Sequence, residues 1–471
     1  FIMGGNENAR AVRVTSQDLK LYIETYGCQM NERDTETIAG LLIKEGMSQA
    51  MDISEADVII LNTCAVRESA ESKVWSRFGK IRSMRRGGKP PVLVLAGCMA
   101  QLPETAERVK SKAPYISVLT GPGFIHEIPQ LVREAMAKKP EDGGHKILKA
   151  VTPARTAASR DESTQLLPEG LPRRSIPGVN AYVTIMYGCD NFCSYCVVPY
   201  VRGPQVSRSF QAILEETARL CEEGYKEITL LGQNVNAYGL DVPGSPDFPA
   251  LLRALDKTPG LLRLRYFTSH PRDFTQEMIE AVRDCPTVCE HFHLPLQSGS
   301  DRILKAMNRG YSRDDYLRLV ERVREAIPEA SITTDIIVGF PGETEEDFQD
   351  TLDMVRKCRF DGAFTFIFSP RKGTAAYRMK NQVDKKTKSL RLQELVEVQG
   401  AITRDINASC VGRDMEILVE SMAEEEPGSV KGRTRTGKMV IATGSKASPG
   451  DLVNVRIVEY GTWYLKGPVA P

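Results

Sequence analysis

The sequence predicts an α/β protein in three parts: an N-terminal open α/β sheet, a central partial (β/α)6 barrel and a small all-β barrel at the C-terminus. Three observations predict this. Short apolar strands alternate with amphipathic helices over residues 20–137, and the alternation returns with a longer repeat over 179–370. Beyond residue 408 the segments turn short, β-rich and broken by glycine.

In the first part, LYIETYG (21–27), DVIILNT (57–63), PVLVLAG (91–97) and SVLTG read as strands. The helices between and after them are NERDTETIAGLLIKEG (31–46), ESAESKVWSRFGKIRSMRR, PETAERVKSK and FIHEIPQLVREAMA. Residues 138–178 are rich in Pro, Gly, Ser and charge and read as a linker or a wrapping loop. Six further strands follow: AYVTIMYG (181–188), EITLLGQN (227–234), LRLRYFT (262–268), HFHLPLQ (291–297), SITTDIIVGF (331–340) and GAFTFIFS (362–369). Six βα units rather than eight leave a parallel barrel open on one side. Residues 371–391 carry eight Lys or Arg against one Asp, and a helical apolar period follows them. Strands are expected at 415–421, 429–443, 451–461 and 462–467.

The 471 residues hold 62 Lys plus Arg and 61 Asp plus Glu, a net charge of +1. That balance excludes a polycation or an acidic disordered chain but not a local basic groove. No apolar run reaches the roughly 18 residues of a membrane span, and the N-terminal stretch lacks the apolar core of a signal peptide. A cytoplasmic protein with no membrane association is expected. Eleven cysteines are too few for a disulfide scaffold of this length, so thiols in a reducing compartment are expected to be buried, catalytic or metal-bound.

Six of the eleven form two constellations. YGCDNFCSYC places Cys189, Cys193 and Cys196 within eight residues at the end of the first barrel strand. Thiolates so crowded suit an iron–sulfur cluster, and with no fourth Cys or His nearby one metal position stays open. Three buried thiols, or a zinc site completed by a distant residue, are the alternatives. Cys28, Cys64 and Cys98 are dispersed, but each sits just past the end of a predicted parallel strand (after YIETYG, VIILNT and VLVLAG). Strand ends of an open α/β sheet line one edge, where ligands bind, although spacing alone leaves coincidence open. Cys221, Cys285, Cys289, Cys358 and Cys410 read as small buried hydrophobes.

The motif C-x-x-x-C-x-x-C, with Tyr195 before its last cysteine, resembles that of the radical S-adenosylmethionine (SAM) enzymes. TYGCQMN, LNTCAVRESA and AGCMAQ look like the N-terminal domain of the methylthiotransferases. With the C-terminal TRAM-like, OB-like barrel, the whole chain resembles the radical SAM methylthiotransferase family in its MiaB-type tRNA-modifying branch. The resemblance implies four segments: an N-terminal methylthiotransferase domain with an auxiliary cluster (19–137), a linker (138–174), a radical SAM core (175–405) and a TRAM domain (408–470).

It implies two [4Fe–4S] clusters. The one on Cys189, Cys193 and Cys196 binds SAM through its open iron and reduces it to a 5′-deoxyadenosyl radical. The one on Cys28, Cys64 and Cys98 carries sulfur, which a second SAM methylates. All six are therefore catalytic as well as metal-binding. The implied product is 2-methylthio-N6-isopentenyladenosine at position 37 of tRNA, beside the anticodon. The implied partners are the tRNA anticodon stem-loop and an electron donor protein, and a monomer is expected. Sibling enzymes use the same chemistry on threonylcarbamoyladenosine or on an aspartate of a ribosomal protein. A non-enzymatic iron–sulfur RNA-binding or electron-transfer protein is the alternative of a different class.

SAM contacts are expected at the C-terminal ends of the barrel strands. Gln233 and Asn234 resemble the segment near the SAM amino group, Gln297 and Ser298 follow the fourth strand, and Asp335 opens the segment DIIVGFPG that resembles the one passing the adenine. Tyr195 joins them from the cysteine motif. Each polar residue here equally suits a cap of the following helix. For RNA, Lys431, Arg433, Arg435 and Lys438 occur with no acid between them, although Glu424, Glu425 and Glu426 lie in the same tail. Alternate residues on a ribbon share a face, so a basic stripe competes with a merely solvated strand. Residues 371–391 and Arg77–Lys89 are expected to extend the cationic surface.

Overall fold

The computed structural model describes residues 19–65, 68–84, 90–137, 147–151, 168–174, 178–424 and 426–470. The chain divides into two compact units. Within the described residues the first comprises the chain up to Gly27, Asp34 to 151, and Gly170–Arg174.

Its centre is a parallel sheet of β1 (Lys20–Tyr26), β2 (Ser48–Gln49), β3 (Val58–Thr63), β4 (Val92–Ala96), β5 (Val118–Thr120) and β6 (Leu148–Ala150), in the order β2-β1-β3-β4-β5-β6. Every residue of β3 and β4 is buried, as strands covered on both faces must be. The covering helices are α1 (Gln29–Lys44), α2 (Glu68–Ile81), α3 (Pro103–Lys112) and α4 (Ile128–Ala137). Ile59, Leu61, Val74, Phe78, Leu93, Leu95 and Leu119 form part of the core.

Two expectations are corrected here. The helix expected from Phe124 begins as a 3₁₀ turn, Pro122–Glu127, and becomes α-helical only at Ile128. The stretch expected as linker supplies β6, and its residues Pro172–Arg174 pack on α1, where the Arg173–Glu36 ion pair is almost fully buried.

The second unit holds Cys28–Arg33, 168–169 and everything from 178 onward. Its barrel strands are β7 (Asn180–Thr184), β10 (Glu227–Leu231), β11 (Arg263–Tyr266), β12 (His291–His293), β13 (Ser331–Val338) and β14 (Gly362–Ile367). They pair in parallel as β11-β10-β7 and β12-β13-β14, and a parallel bridge from Leu264 to Val288 joins the two triplets. The six candidate strands thus form one open barrel.

All six end sooner than the apolar runs suggested, the first and the fourth by the most. The first leaves the barrel after Thr184, and β8 (Met186–Tyr187) pairs instead with β9 (Val206–Ser207). The fourth stops at His293 because Pro295 has no N–H for a ladder.

Helices α5 (Val198–Val201), α6 (Phe210–Glu222), α7 (Phe248–Leu255), α8 (Gln276–Asp284), α9 (Asp301–Ala306), α10 (Arg313–Ala326), α11 (Glu345–Cys358) and α12 (Lys385–Ala408) complete the repeats. Serine or threonine side chains cap the N-termini of α6, α8, α9, α10 and α11. The core between strands and helices includes Ile228, Leu264, Phe292, Ile332, Ile336 and Leu352. Cys221, Cys285, Cys289, Cys358 and Cys410 are all buried.

The C-terminal strands are β15 (Asp414–Met422), β16 (Val430–Thr434), β17 (Met439–Thr443), β18 (Leu452–Arg456), β19 (Glu459–Tyr460) and β20 (Leu465–Pro468), ordered β18-β15-β16-β17-β20-β19. A bridge between Val455 and Val469 brings β18 to the far end of the sheet and closes a small barrel. Its core is Ile417, Val419, Val430, Val440, Val455 and Leu465.

Part of the cationic surface expected over 371–391 is absent. Lys388 and Arg391 lie inside, the ammonium donating to the Phe368 carbonyl (3.1 Å) and the guanidinium pairing with Glu343 (2.8 Å). In the Arg77–Lys89 stretch Arg77 pairs with Glu24, and residues 85–89 lie outside the described residues.

Candidate active site

The loop Cys189–Cys196 follows β8, and neighbouring backbone pins it. Gly188 has φ +67°, and a Cβ there would stand 1.8 Å from the Pro204 carbonyl, so only glycine turns the chain into the first cysteine. The Cys189 N–H donates to the Gly203 carbonyl (3.2 Å). The C-terminal end of α9 holds the middle of the loop. Ser194 N–H donates to Met307 O (3.0 Å), Ser194 Oγ to Ala306 O (2.7 Å), and Asn308 Nδ2 to the carbonyls of Asn191 (3.2 Å) and Phe192 (3.1 Å).

Buried Arg309 reaches in beside this end. One guanidinium nitrogen donates to Cys193 Sγ (3.3 Å) and Tyr195 OH (3.4 Å), the other to Pro295 O (2.9 Å). Tyr195 packs against Ile303, Met307, Phe340, Phe368 and Ala376.

The electrostatics suit a soft, electron-poor metal group. Burial pushes the Cys189 thiol up to about 11 and the Cys196 thiol to about 12. Backbone N–H groups of Asn191 and Val198 act in the other direction, on the sulfurs of Cys189 and Cys196 respectively. Bound iron relieves such a burial penalty, and N–H···S bonds with a buried cation stabilise thiolate charge. Among the described residues no three His, Cys, Asp or Glu side chains converge as ligands of one ion would. A cluster does not need that convergence, because each thiolate binds a different iron. The donor set therefore fits a cluster better than zinc.

Orphaned polar atoms ring the same barrel mouth. Gln233 Oε1, Ser269 Oγ, His270 Nε2 and Gln297 Oε1 are buried without a partner, and all four lie just past the C-terminal ends of β10, β11 and β12. His270 Nδ1 accepts from Arg272 N–H (3.3 Å), which leaves the hydrogen of the neutral ring on Nε2. Burial, with Arg309 and Arg272 nearby, lowers its pKa to about 2. Buried unsatisfied donors and acceptors at a strand-end opening fit a polar ligand such as SAM.

The other expected SAM residues are engaged within the protein. Asn234 bonds His270 N–H (3.0 Å) and Asp273 (3.3 Å). Ser298 Oγ faces Thr351 Oγ1 (3.4 Å) and accepts from Ser300 N–H (3.3 Å), while the cap of the following helix is Ser300 rather than Ser298. Asp335 stands 3.5 Å from His293 Nε2 and is half-buried.

In the first unit, β1, β3 and β4 are adjacent, with Tyr26 opposite Thr63 and Asn62 opposite Ala96. Cys64 directly follows β3 and is buried, its N–H donating to the Tyr26 carbonyl (2.9 Å). Cys98, also buried, follows Gly97, which has φ +92° and where a Cβ would stand 2.3 Å from Asn62 Oδ1, so glycine is again required. Cys28 comes two residues after β1, and its thiol lies 3.5 Å from Asn31 Oδ1. All three thus follow adjacent parallel strands in the chain. Cys64 and Cys98, both buried just past adjacent strands of the first unit, are soft thiolate donors of the kind that iron–sulfur clusters use, while Cys28 belongs to the second unit.

The expected RNA residues fare differently. Lys431 and Arg433 alternate on the outer face of β16, and Arg433 lies 3.2 Å from Glu420. Arg435 and Lys438 turn inward to the barrel. Arg435 grips Glu290 (2.7 Å) and donates to the carbonyls of Pro286 and Val288, while Lys438 pairs with Asp361 (2.7 Å) and Asn407 (3.2 Å). In return Arg263 and Arg265 donate to the carbonyls of Arg433, Thr434 and Arg435. The 433–438 hairpin therefore seats on the N-terminal ends of the barrel strands, opposite the cysteine loop. No continuous stripe of four cations forms.

Relatives named tRNA-2-methylthio-N(6)-dimethylallyladenosine synthase match nearly end to end. One from Carboxydothermus hydrogenoformans is 46% identical over 446 residues, covering 95% of this chain and 98% of its own. One from Moorella thermoacetica is 46% identical over 445 residues, covering 94% and 97%. The chain belongs to this family.

Family models agree in segments: the radical SAM superfamily over residues 183–355, an uncharacterized protein family, UPF0004, over 20–121, and the TRAM domain over 408–470. Among solved structures, the radical SAM methyltransferase TsrM from Kitasatospora setae with cobalamin and a [4Fe–4S] cluster bound superposes with a TM-score of 0.52 at 14% identity, covering 88% of this chain and 80% of that one. At that identity the likeness concerns the fold alone. The match to the radical SAM superfamily model implies an iron–sulfur cluster and SAM.

Sequence reasoning missed Arg309, Ser269 and His270. They stand in AMNRGY and TSHPRDF, after predicted elements, where an arginine or histidine carries no spacing signal. Only the strand-end position of Ser269-His270, beyond the third barrel strand, hinted at them.

Proposed function

We propose that the chain transfers a methylthio group to C2 of N6-dimethylallyladenosine at position 37 in the tRNA anticodon loop. The reading is supported above all by the near end-to-end match with a family of that name, in a chain that carries both cysteine trios. Cys189, Cys193 and Cys196 would hold a [4Fe–4S] cluster with SAM beside it, and Cys28, Cys64 and Cys98 a second cluster. Such groups supply one-electron cleavage of SAM and a reactive sulfur, the chemistry that a C–H carbon of adenine requires.

The protein's own residues do the rest. α9 and Gly188 fix the cysteine loop. Arg309 offsets the negative charge gathered on the thiolates. Gln233, Ser269, His270 and Gln297 offer unpartnered polar atoms to the amino, carboxylate and ribose groups of SAM. His270 stays neutral, so it donates from Nε2 without exchanging its proton. Tyr195 packs on the cluster of Phe340 and Phe368, an apolar wall that excludes water beside the cysteine loop. The target adenine leaves the anticodon-loop stack to enter the barrel. The electron comes from a separate donor protein.

The experiment is anaerobic turnover of the iron-loaded protein with SAM, a strong reductant and an anticodon stem-loop bearing N6-dimethylallyladenosine. Mass spectrometry should find the methylthio nucleoside. Product only from threonylcarbamoyladenosine RNA or from a ribosomal protein would contradict the proposal.

A further inference from the structure

We infer that Phe364 and Phe366 on β14 form the subsite for the dimethylallyl-bearing adenine and select it against nucleosides with a charged N6 group. The inference rests on the substrate reading above. In the β13–β14 ladder Asp335 stands opposite Phe364, and Ile337 opposite Phe366. Directly paired residues share a sheet face. Ile332 and Ile336 belong to the core between strands and helices, so Thr333, Asp335, Ile337, Phe364 and Phe366 point the other way, into the barrel interior. His293 is on the same side, its ring centroid 6.0 Å from that of Phe364, and both His291 and His293 bond to Thr333 Oγ1.

On this face Phe364 is 58% exposed and Phe366 37% exposed. Among the described residues β14 pairs with β13 alone, so the two rings lie along the open side of the barrel. Uncovered phenylalanines on a concave wall mark a place where a ligand completes the packing. The strip leads toward the site: Ile337 and Tyr195, next in the chain to Cys196, both pack against the cluster that holds Phe340 and Phe368. A ligand lying on Phe364 and Phe366 thus has its far end beside the cysteine loop.

The charges identify the occupant. The only charged side chain that β13 and β14 present to this face is the acid Asp335. The cations near the interior are committed elsewhere: Arg263 and Arg265 to Glu416, Glu227 and the 433–435 carbonyls, Lys388 to the Phe368 carbonyl, and Arg309 to Cys193 and Pro295. An aromatic base with a five-carbon alkenyl tail suits two phenyl rings. A threonylcarbamoyl group would bring its carboxylate to Asp335 with none of those cations to receive it.

The test compares the iron-loaded wild type with Phe364→Ala, Phe366→Ala and Phe366→Leu. Substrates are anticodon stem-loops bearing dimethylallyladenosine, adenosine or threonylcarbamoyladenosine at the target position. The wild type is expected to prefer dimethylallyladenosine over adenosine. Each alanine variant should cut that kcat/KM ratio about tenfold, mainly through KM, and leucine should restore part of it. Iron content and Tm should match the wild type, because both rings are substantially exposed. An unchanged ratio in both alanine variants, or a loss traced to lower iron content or Tm, overturns the subsite. A wild type that converts only threonylcarbamoyladenosine RNA overturns the substrate reading instead.

Discussion

Two glycines set the direction of a cysteine from each trio. Gly97 and Gly188 both have positive φ, and both lie against a neighbouring backbone or side-chain oxygen with no space for a Cβ. The cysteines were legible in the sequence because thiols have few reasons to crowd, or to recur at strand ends. Arg309 was not legible, since only the approach of α9 to the loop makes it a neighbour of Cys193. Replacing Arg309 with Gln removes a buried cation from beside the thiolates. The expected result is a more negative reduction potential for the cluster and SAM cleavage slowed by about 10- to 100-fold, read by redox titration and 5′-deoxyadenosine formation. A potential and rate equal to wild type would show that Arg309 is only packing. Ser298 gives the opposite lesson: a polar residue at a strand end proved to bond Thr351 and Ser300, which sequence spacing cannot separate from ligand binding.

Helix starts and strand ends decide where the site's walls stand. Asp347 in the first turn of α11 bonds the N–H and hydroxyl of Thr344, the hydroxyl of Ser300 that caps α9, and the guanidinium of Arg302. Burial raises its pKa, but these bonds outweigh burial and lower it to about 2. A carboxyl depressed in the folded state stabilises the fold above its unfolded pKa, near 3.8, and loses that contribution as pH falls through about 2. Asp347→Asn should cost about 2 kcal/mol at neutral pH, with the gap to wild type closing between pH 4 and 2. Denaturant melts at stepped pH measure this, and a pH-independent gap would contradict it. The order of elements was legible from apolar periodicity. The early ends of two barrel strands were less so, because Ile185–Tyr187 are as apolar as the strand they leave, and because a proline's effect depends on the partner strand. Strand β6 was hidden in a stretch whose composition resembles a linker, and only pairing to β5 makes it a strand.

At the scale of the molecule, the succession of sheet, barrel and small β-barrel was readable, but the docking of the last on the second was not. Docking uses side chains that look like a nucleic-acid stripe. Arg435 is held by Glu290 and two carbonyls, so Arg435→Ala should lower stability by about 2 kcal/mol, seen as a lower Tm. Lys431 and Arg433 face outward. Their joint replacement by Gln should weaken tRNA binding and reduce the slope of log affinity against log salt by about 1 to 2, with little change in Tm. An unchanged slope would move the RNA-facing surface elsewhere.

Under the proposed function each cysteine trio would hold its own four-iron cluster, and the iron count tests this most directly. Anaerobically reconstituted wild type should hold about eight irons per chain, Cys64→Ala about four, and Cys193→Ala about four. Cys64→Ala should still release 5′-deoxyadenosine from SAM but form no methylthio product, and Cys193→Ala should do neither. About four irons in the wild type, or methylthio product from Cys64→Ala, would contradict the account.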